Sequence, residues 1–423
     1  MCGINGIISK DKNKDKLIKS MNEKILHRGP DAEGIFVEGD VALGQRRLSI
    51  IDLAGGNQPI YNEDKSILIM YNGEVYNYKE LKEELTEYKF ETESDTEVVL
   101  HGYEKWGHDL PKKLRGMFAY AIYDKNKGEI FISRDQFGIK PLYYYHDGDT
   151  ILFGSEIKSF LAYPKFKKVL NKELLGAYLT FSFTPTDETF FKGVYRLPSG
   201  HSMTIDVKKR KIKIDRYFKV EFGNTDKSFD EVVKDISTAM KDSTEHHLIS
   251  DVEVGSFLSS GVDSSYLVSL AKPDKTYTIG FDLAKYSEID YAKDLTDKLN
   301  IKNISEKISK EEYMNALSEV YYHMDEPTAD GCAIAVYFLS RLASKDVKVV
   351  LSGEGADEFF GGYNSYDDNF YTKLPFFIRK SMASICKILP KNKITRYIIR
   401  RGLPLEESYV SINRTYYDDE LKD

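Results

Sequence analysis

The chain has 423 residues, of which 41% are hydrophobic, 30% charged and 13% aromatic, and a formal net charge of −7. That length makes room for two or three domains, the apolar fraction supports a buried core, and 29 Gly and 12 Pro spread without a period exclude collagen-like and low-complexity chains. The acidic balance gives no reason to expect nucleic acid or an acidic membrane surface as partner, and no apolar run approaches the roughly 20 residues needed to span a bilayer. Cys2, Cys332 and Cys386 are too few and too scattered for a disulfide framework or a zinc site. The N-terminus, MCGINGIISK, lacks the apolar core of a signal peptide. Together these features predict a reduced, cytoplasmic protein.

In chain order, residues 30–205 carry short apolar runs separated by turn signals. Phe118–Tyr123 and Ile130–Ser133 flank Asp124–Gly128, and Leu142–Tyr145 and Ile151–Phe153 flank His146–Asp149. Such spacing predicts antiparallel hairpins, interrupted by helices near 78–87 and 95–106. From about 228 the texture changes to strand alternating with helix. Strands are expected at Gly255–Leu258, Tyr277–Phe281 and Val347–Leu351, the last broken only by Lys348. Helices are expected near 263–271, Ser287–Asn300, from the capping box Ser309-Lys310-Glu311-Glu312 to Met324, and over Ala333–Ser344. This alternation predicts a parallel sheet. Gly223–Ser228 reads as a linker. The stretch 369–405, with nine Lys/Arg and no Asp or Glu, is expected to form amphipathic surface helices rather than a membrane or nucleic-acid patch.

Cys2 is the first chemical lead. Removal of Met1 leaves a cysteine that carries both a thiol and its own α-amine, whose ordinary pKa near ~8 suits a general base. Behind it follow His27-Arg28-Gly29-Pro30-Asp31, Arg47-Leu48-Ser49-Ile50-Ile51-Asp52, Asn72-Gly73-Glu74 and Ser94-Asp95. Each has a use if the substrate is glutamine. Arg47 offers a two-pronged grip on the α-carboxylate, Asp95 a partner for the α-ammonium, and the Asn72 amide with the Gly73 N–H a cradle for an oxyanion. Alone, Asn-Gly usually marks a hairpin turn.

With Gly116-Met117-Phe118-Ala119, Arg134–Tyr143 and Gly154-Ser155-Glu156-Ile157-Lys158, these motifs make residues 2–200 resemble the class II glutamine amidotransferase domain, an N-terminal-nucleophile hydrolase. The resemblance implies Cys2 as nucleophile, and Arg47, Asn72, Gly73, Glu74 and Asp95 as ligands of glutamine or its oxyanion. Arg28 and the residues around Gln58 are expected as supports of the pocket.

Leu258-Ser259-Ser260-Gly261-Val262-Asp263-Ser264-Ser265 lies between a predicted strand and helix. Backbone N–H groups and hydroxyls at a helix N-terminus form a pyrophosphate cradle in outline. The loop resembles the Ser-Gly-Gly-x-Asp-Ser loop of ATP pyrophosphatases, with Ser260 where the first Gly is usual. A second strand, Val349–Leu351, leads into Ser352-Gly353-Glu354-Gly355-Ala356-Asp357-Glu358. ATP is expected at Leu258, Ser259, Ser260, Gly261, Asp263, Ser264, Ile279, Ser352 and Gly353, with Tyr277–Phe281 along the adenine and Mg²⁺ shared by Asp263 and Asp357.

Over its whole length the chain resembles the glutamine-hydrolysing asparagine synthetase family. The resemblance implies an α+β amidotransferase, an αββα sandwich of antiparallel sheets, over 2–205, a linker over 206–227, and an α/β parallel-sheet ATP-pyrophosphatase-like domain over 228–423. It implies glutamine, aspartate and Mg·ATP as substrates, Glu354 as the base that takes a proton from ammonia, and Asp325–Asp330 near the aspartate pocket. It implies a homodimer, or a partner chain supplying a C-terminal part, because the family continues beyond the residues present here. Two alternatives stay open. One is a family member amidating another carboxylate, such as a sugar acid or peptide. The other is a glutaminase or partner subunit without full synthetase activity.

Overall fold

The strands of the first two hundred residues are apolar along most of their length, because layers cover both of their faces. The computed structural model describes residues 1–282, 287–328, 331–363, 373–390 and 392–404. They divide into two units. The first contains Met1–Leu170, Asp187–Glu326 and Ile334–Ser352, and the second Asn171–Thr186, Pro327–Ala333 and the chain from Gly353 onward.

The chain begins β1 (Gly3–Ile8), α1 (Lys14–Lys24), β2 (Ala32–Glu38), β3 (Val41–Arg47), β4 (Ile60–Tyr61), β5 (Ile67–Val75), α2 (Tyr78–Glu84) and α3 (Asp95–Trp106). It continues β6 (Gly116–Asp124), β7 (Glu129–Arg134), β8 (Tyr143–His146), β9 (Ile151–Gly154), α4 (Leu175–Phe181), β10 (Val194–Arg196), β11 (His201–Asp206) and β12 (Lys211–Arg216). One antiparallel sheet has the order β10-β8-β9-β1-β3-β2 and the other β12-β11-β7-β6-β5-β4. Their facing sides share one core, in which Ile4, Ile8, Leu43 and Phe153 meet Leu68, Met70, Ala121 and Ile132. Alternate positions of the same strands face outward. Ile7, Ala42 and Leu152 pack on Ile18 and Met21 of α1, while Ile69, Tyr71 and Ile122 pack on Leu81 of α2 and Val98, Val99 and Tyr103 of α3. The layering is the αββα sandwich that the sequence led us to expect. Strand β12 pairs along its length with β11, so the second sheet runs on to Arg216, into the stretch expected as linker.

After α5 (Phe229–His247), the chain alternates β13 (Val254–Phe257), α6 (Val262–Ala271), β14 (Lys275–Phe281), α7 (Ile289–Leu299), β15 (Lys302–Ile308), α8 (Lys310–Met324), α9 (Cys332–Ala343) and β16 (Val349–Leu351). The parallel sheet has the order β15-β14-β13-β16. Ser228 and Ser309 cap α5 and α8 in complete capping boxes with Glu231 and Glu312. In the second unit lie α4, α10 (Ala356–Phe360), α11 (Phe376–Cys386) and α12 (Lys393–Arg401). Arg379 of α11 donates to the Arg401 carbonyl at 2.8 Å, joining the two basic helices. Among the described residues no helix is long and apolar enough to cross a membrane. Ala329 and Asp330 of the expected aspartate pocket, and residues 369–372, 391 and 405 of the basic stretch, lie outside the described residues.

One charged cluster inside the first sandwich has a clear energetic sign. His101 of α3 contacts Glu104 through Nδ1 at 2.7 Å and Glu97 through Nε2 at 3.6 Å. Burial opposes its charge, but the two carboxylates outweigh it and push the imidazole pKa up to about 9 from 6.5. Burial likewise opposes charge on Glu97, yet His101 and the N–H groups of Glu91 and Thr92 hold it down to about 2. The His101 contribution to stability is therefore complete below its unfolded pKa and is lost as the pH rises through about 9. The Glu97 contribution holds above the ordinary carboxylate range and is lost as the pH falls through about 2. His101→Ala is expected to cost about 2–3 kcal/mol at pH 7, since Glu97 is left buried without its cation. In denaturant titrations it should also flatten the wild-type decline between neutral and alkaline pH.

Candidate active site

Strand β1 is hydrogen-bonded on both edges, to β3 and to β9, which seats the chain terminus inside the sandwich. Cys2 directly precedes it and is half-buried. The Leu48 N–H donates to Cys2 Sγ at 3.3 Å, and the thiol contacts the Leu48 carbonyl at 3.5 Å. The Cys2 carbonyl accepts from Arg28 Nε at 2.8 Å. Burial above all, with Arg28 and Lys140 nearby, pushes the Met1 amine down to about 5 against the opposing pull of Cys2 and Glu74. Lys140 Nζ lies 3.1 Å from Met1 Sδ, and burial holds this lysine below its usual range.

A cavity of about 370 Å³ opens beside Cys2. One wall is the end of β5, where Asn72 and Gly73 pair with Ala119 and Phe118 of β6. The Asn-Gly pair is thus mid-strand, not a turn. A Cβ on Gly73 would stand 2.5 Å from the Met117 carbonyl oxygen and 2.8 Å from Phe118 Cα, so the close strand approach requires glycine. Along the free edge of β5, the Tyr71 N–H donates to Gln58 Oε1 at 2.6 Å and the Val75 N–H to Asp95 Oδ2 at 2.9 Å. By strand alternation the Gly73 N–H is directed to that same edge. Asn72 is 1% exposed, and neither its amide nitrogen nor its oxygen has a partner in the fold. Buried amides are almost always paired, so an orphaned one lining a cavity marks a place kept for a ligand.

Glu74 and Asp95 line the same cavity. Asp95 Oδ2 is taken by Tyr71 Oη at 2.7 Å and by the Val75 N–H, leaving Oδ1 with a 3.5 Å contact to Ser94 Oγ. Burial raises its pKa against these donors. Glu74 Oε1 is buried without a partner. Burial first, and then the Asp95 charge, push the Glu74 pKa up to about 7, while Lys140 and the chain terminus oppose the rise. Arg47 also lines the cavity, but its terminal nitrogens donate to the carbonyls of Ile51, Asp52 and Leu53 and to Asn57 Oδ1 at 2.6–3.3 Å. The residue expected to hold a substrate carboxylate here holds the 51–57 loop. A Cβ on Gly56 would come within 2.5 Å of the same guanidinium. Arg28, through the Cys2 carbonyl, and Gln58, through the Tyr71 N–H, are bonded to the cavity's backbone. Lys140, Tyr71 and Glu156 surround these groups without having been singled out for a role. Lys140 and Glu156 stood within quoted motifs, but a lone Lys or Glu in a sequence reads as surface.

The cavity also reaches Phe257 at the end of β13 and Lys348, Val349 and Val350 at β16. Lys348 Nζ is 2.6 Å from Asp31 Oδ2, which also accepts from the Ser49 N–H.

At the carboxyl edge of the parallel sheet, β13 and β16 are neighbours although α6 to α9 separate them in sequence. The strand order reverses there, which is where open α/β sheets bind ligands. Leu258 is fixed by the Tyr277 carbonyl at 3.0 Å and by Thr278 Oγ1 at 2.9 Å. Ser259 Oγ meets Ser264 Oγ at 2.9 Å and receives the Gly261 N–H at 3.1 Å. Gly261 is the N-cap of α6 and provides no capping side chain, and the N–H groups of an uncapped helix N-terminus are suited to receive an anion. Ser260 Oγ donates to Glu288 at 2.7 Å, and Asp263 stands exposed in the first turn. Ile279 packs among Ile308, Val320 and Phe338, and Tyr277 among Leu342, Ala343 and Val347, so both side chains are spent on the core. Ser352 ends the first unit. In the second, Gly353 and Glu354 precede α10, which bears Asp357 and is entered through Gly355 at φ 91°. Among the described residues no group of three or more His, Cys, Asp or Glu side chains is placed to hold a metal.

Comparison with known proteins agrees with this arrangement. Residues 1–218 match the glutamine amidotransferase domain family and residues 235–412 the asparagine synthase family. The chain is 41% identical to asparagine synthetase [glutamine-hydrolyzing] 1 of Bacillus subtilis, across all of this chain and 69% of that protein. It is 38% identical to a Methanocaldococcus jannaschii protein with the provisional name asparagine synthetase [glutamine-hydrolyzing] 2, across 90% of this chain and 79% of that one. It is 34% identical to asparagine synthetase [glutamine-hydrolyzing] 3 of B. subtilis, across 86% of this chain and 63% of that one. The chain belongs to the glutamine-hydrolysing asparagine synthetase family.

Proposed function

We propose that the chain transfers nitrogen from glutamine to aspartate, making asparagine at the expense of ATP. The observation that carries this reading is the unpartnered Asn72 amide in the cavity beside Cys2, in a chain whose relatives are named for this reaction.

Removal of Met1 leaves the Cys2 amine to take the thiol proton. The thiolate, faced by the Leu48 N–H, attacks the glutamine side-chain amide. The negative oxygen of the tetrahedral adduct is received by the Asn72 amide and the Gly73 N–H. Ammonia leaves, and water hydrolyses the γ-glutamyl thioester to glutamate. Asp95 and Glu74 hold the α-ammonium, a cation that also favours the ionised form of Glu74. Arg47 holds the α-carboxylate by exchanging loop carbonyls for it.

In the second reaction the aspartate β-carboxylate attacks the α-phosphate of ATP, giving aspartyl-AMP and pyrophosphate, with the phosphates on the Ser259–Ser264 loop. Mg²⁺ suits such a site because it needs only one or two carboxylates besides the phosphates. Asp263, and Asp357 in the second unit, are the residues that would hold it, and it would neutralise phosphate charge. Ammonia displaces AMP, and Glu354 takes the proton released. Phe257, Val349 and Val350 line the Cys2 cavity on the side of the parallel sheet, and ammonia passing along that side would be shielded from becoming ammonium.

Three substitutions test the reading. Cys2→Ala should abolish asparagine formation from glutamine and leave formation from ammonium salts, and synthesis from glutamine in that variant would refute the nucleophile. Asn72→Ala should lower kcat for glutamine hydrolysis by about 10²–10³-fold with no loss of thermal stability, since the amide supports nothing in the fold. Arg47→Lys should raise KM for glutamine at least about tenfold with a smaller change in kcat. An unchanged KM would confine Arg47 to the loop.

A further inference from the structure

The loop that leaves β7 at Arg134 and runs to Lys140 is bonded along its whole backbone. The Asp135 carboxylate, 1% exposed, accepts from the Phe118, Phe137, Ile139 and Lys140 N–H groups at 2.9–3.2 Å. Arg134 donates to the carbonyls of Gly138, Lys140 and Leu197 at 2.6–2.8 Å. Surface loops ordinarily turn charged side chains to water and apolar ones inward. This loop does the reverse. Phe137 and Ile139 are 53% and 55% exposed, whereas Lys140 is 3% exposed and lines the cavity beside Cys2.

Lys140 Nζ contacts Met1 Sδ at 3.1 Å, and among the described residues no carboxylate stands within ion-pair distance of it. A buried charge without a partner is costly to the fold. The other buried cations near the nucleophile are committed. Arg28 pairs with Glu156 at 3.0 Å and donates to the Cys2 carbonyl, and Arg47 holds the 51–57 loop. Met1, the one contact of Nζ, is the residue that processing removes. Its loss opens Nζ to the cavity beside the new terminus, where Glu74 Oε1 is also buried without a partner.

Two groups must be in the right charge state there. The amine of residue 2 must be free to take the thiol proton, and Glu74 must be ionised to hold the substrate α-ammonium. A nearby cation favours both states. Burial, opposed by Cys2 and Glu74 and aided by Arg28 and Lys140, pushes the Met1 amine down to about 5. Burial pushes Glu74 up to about 7, with Lys140 the strongest influence against it and Asp95 adding to it. Lys140 itself is held below its usual range by burial and then Arg28, against the pull of Glu74, Cys2 and Asp135. Opening the cavity eases that burial.

We propose that Lys140 is a positioning residue whose ammonium keeps the glutamine site in its working charge state at neutral pH, with the amine of Cys2 unprotonated and Glu74 ionised. The inference rests on the reading that Cys2 hydrolyses glutamine, and deepens it. The bonds of Arg134 and Asp135 then have a task, because a lysine on a loose loop would carry its charge out to water.

The test uses the full chain with Met1 removed and follows glutamate release against pH, since kcat/KM reports the essential groups of the free enzyme. In the wild type the acidic limb of kcat/KM for glutamine should lie below the ordinary amine range of roughly 8. Lys140→Met should move that limb up by at least about one pH unit, and so lower kcat/KM at least about tenfold on its acid side, with the two enzymes converging at alkaline pH. Lys140→Arg, which keeps the charge, should keep the limb. A purely structural role would lower kcat/KM equally at every pH. Lys140→Met should also melt no lower than the wild type, since it removes a buried charge that has no partner, and a variant that melts early would put the lysine to structural use and overturn the proposal. A wild-type limb in the ordinary amine range, which no variant is needed to see, or a limb that Lys140→Met leaves in place, overturns it too and leaves the Cys2 reading intact, because glutamine is still hydrolysed. A wild type that hydrolyses no glutamine removes that reading, and the proposal with it.

Discussion

The structure depends on a chain terminus locked into the middle of a sheet. Termini ordinarily fray, but β1 has a strand on each edge and a packed layer on each face. The residue in front of it is held by Leu48 and Arg28 before any substrate arrives. In the proposed function that immobility lets one residue supply both nucleophile and base, because its amine and thiol stay fixed against the Asn72–Gly73 segment of β5. It also explains why the cavity is lined by ends of strands rather than by loops alone. Its polar groups are spaced by the register of β5 against β6, and a register is not easily deformed.

The parallel sheet solves a different problem. Strand order reverses between β13 and β16, so strands far apart in sequence lie side by side at one edge. The Ser259 loop is pre-shaped by its own hydroxyl bonds, and the uncapped helix N-terminus it enters is suited to receive phosphate charge. The cavity beside Cys2 reaches the same strands from the side. In the proposed function the two chemistries share this wall, which is the reason for having both on one chain.

Much of this was legible in the sequence, and the parts that were not have physical reasons. Alternation of strand and helix after residue 228 announced the parallel sheet, and the Ser309–Glu312 capping box formed as written, because both depend on local pattern. Asn72-Gly73 is ambiguous locally, and only its order behind Cys2 suggested an oxyanion site rather than a hairpin. Helix α1 was not anticipated. Among its many charged side chains only Leu17, Ile18 and Met21 are apolar, too few to show a periodicity that tertiary packing nevertheless uses. Strand β12, the half-polar KIKIDR, hid in a stretch that reads as linker, since an edge strand needs only one buried face. The engagement of Arg47 with four loop acceptors was invisible, because a guanidinium suits carbonyls and carboxylates alike and only the shape of the 51–57 loop decides between them. The buried charges Lys140, Glu156 and Lys158 were inside quoted motifs, but burial is a property of the fold and not of the residue.

The central claim is that the processed terminus is the nucleophile of a glutamine site. It is tested most directly by treating the protein with a glutamine analogue that bears an electrophilic diazoketone in place of the side-chain amide, then mapping the adduct by mass spectrometry. The account predicts a single adduct on a peptide that starts at Cys2, with Met1 absent, and protection by glutamine. An adduct on Cys332 or Cys386, or an unlabelled Cys2 in protein that hydrolyses glutamine, would contradict it.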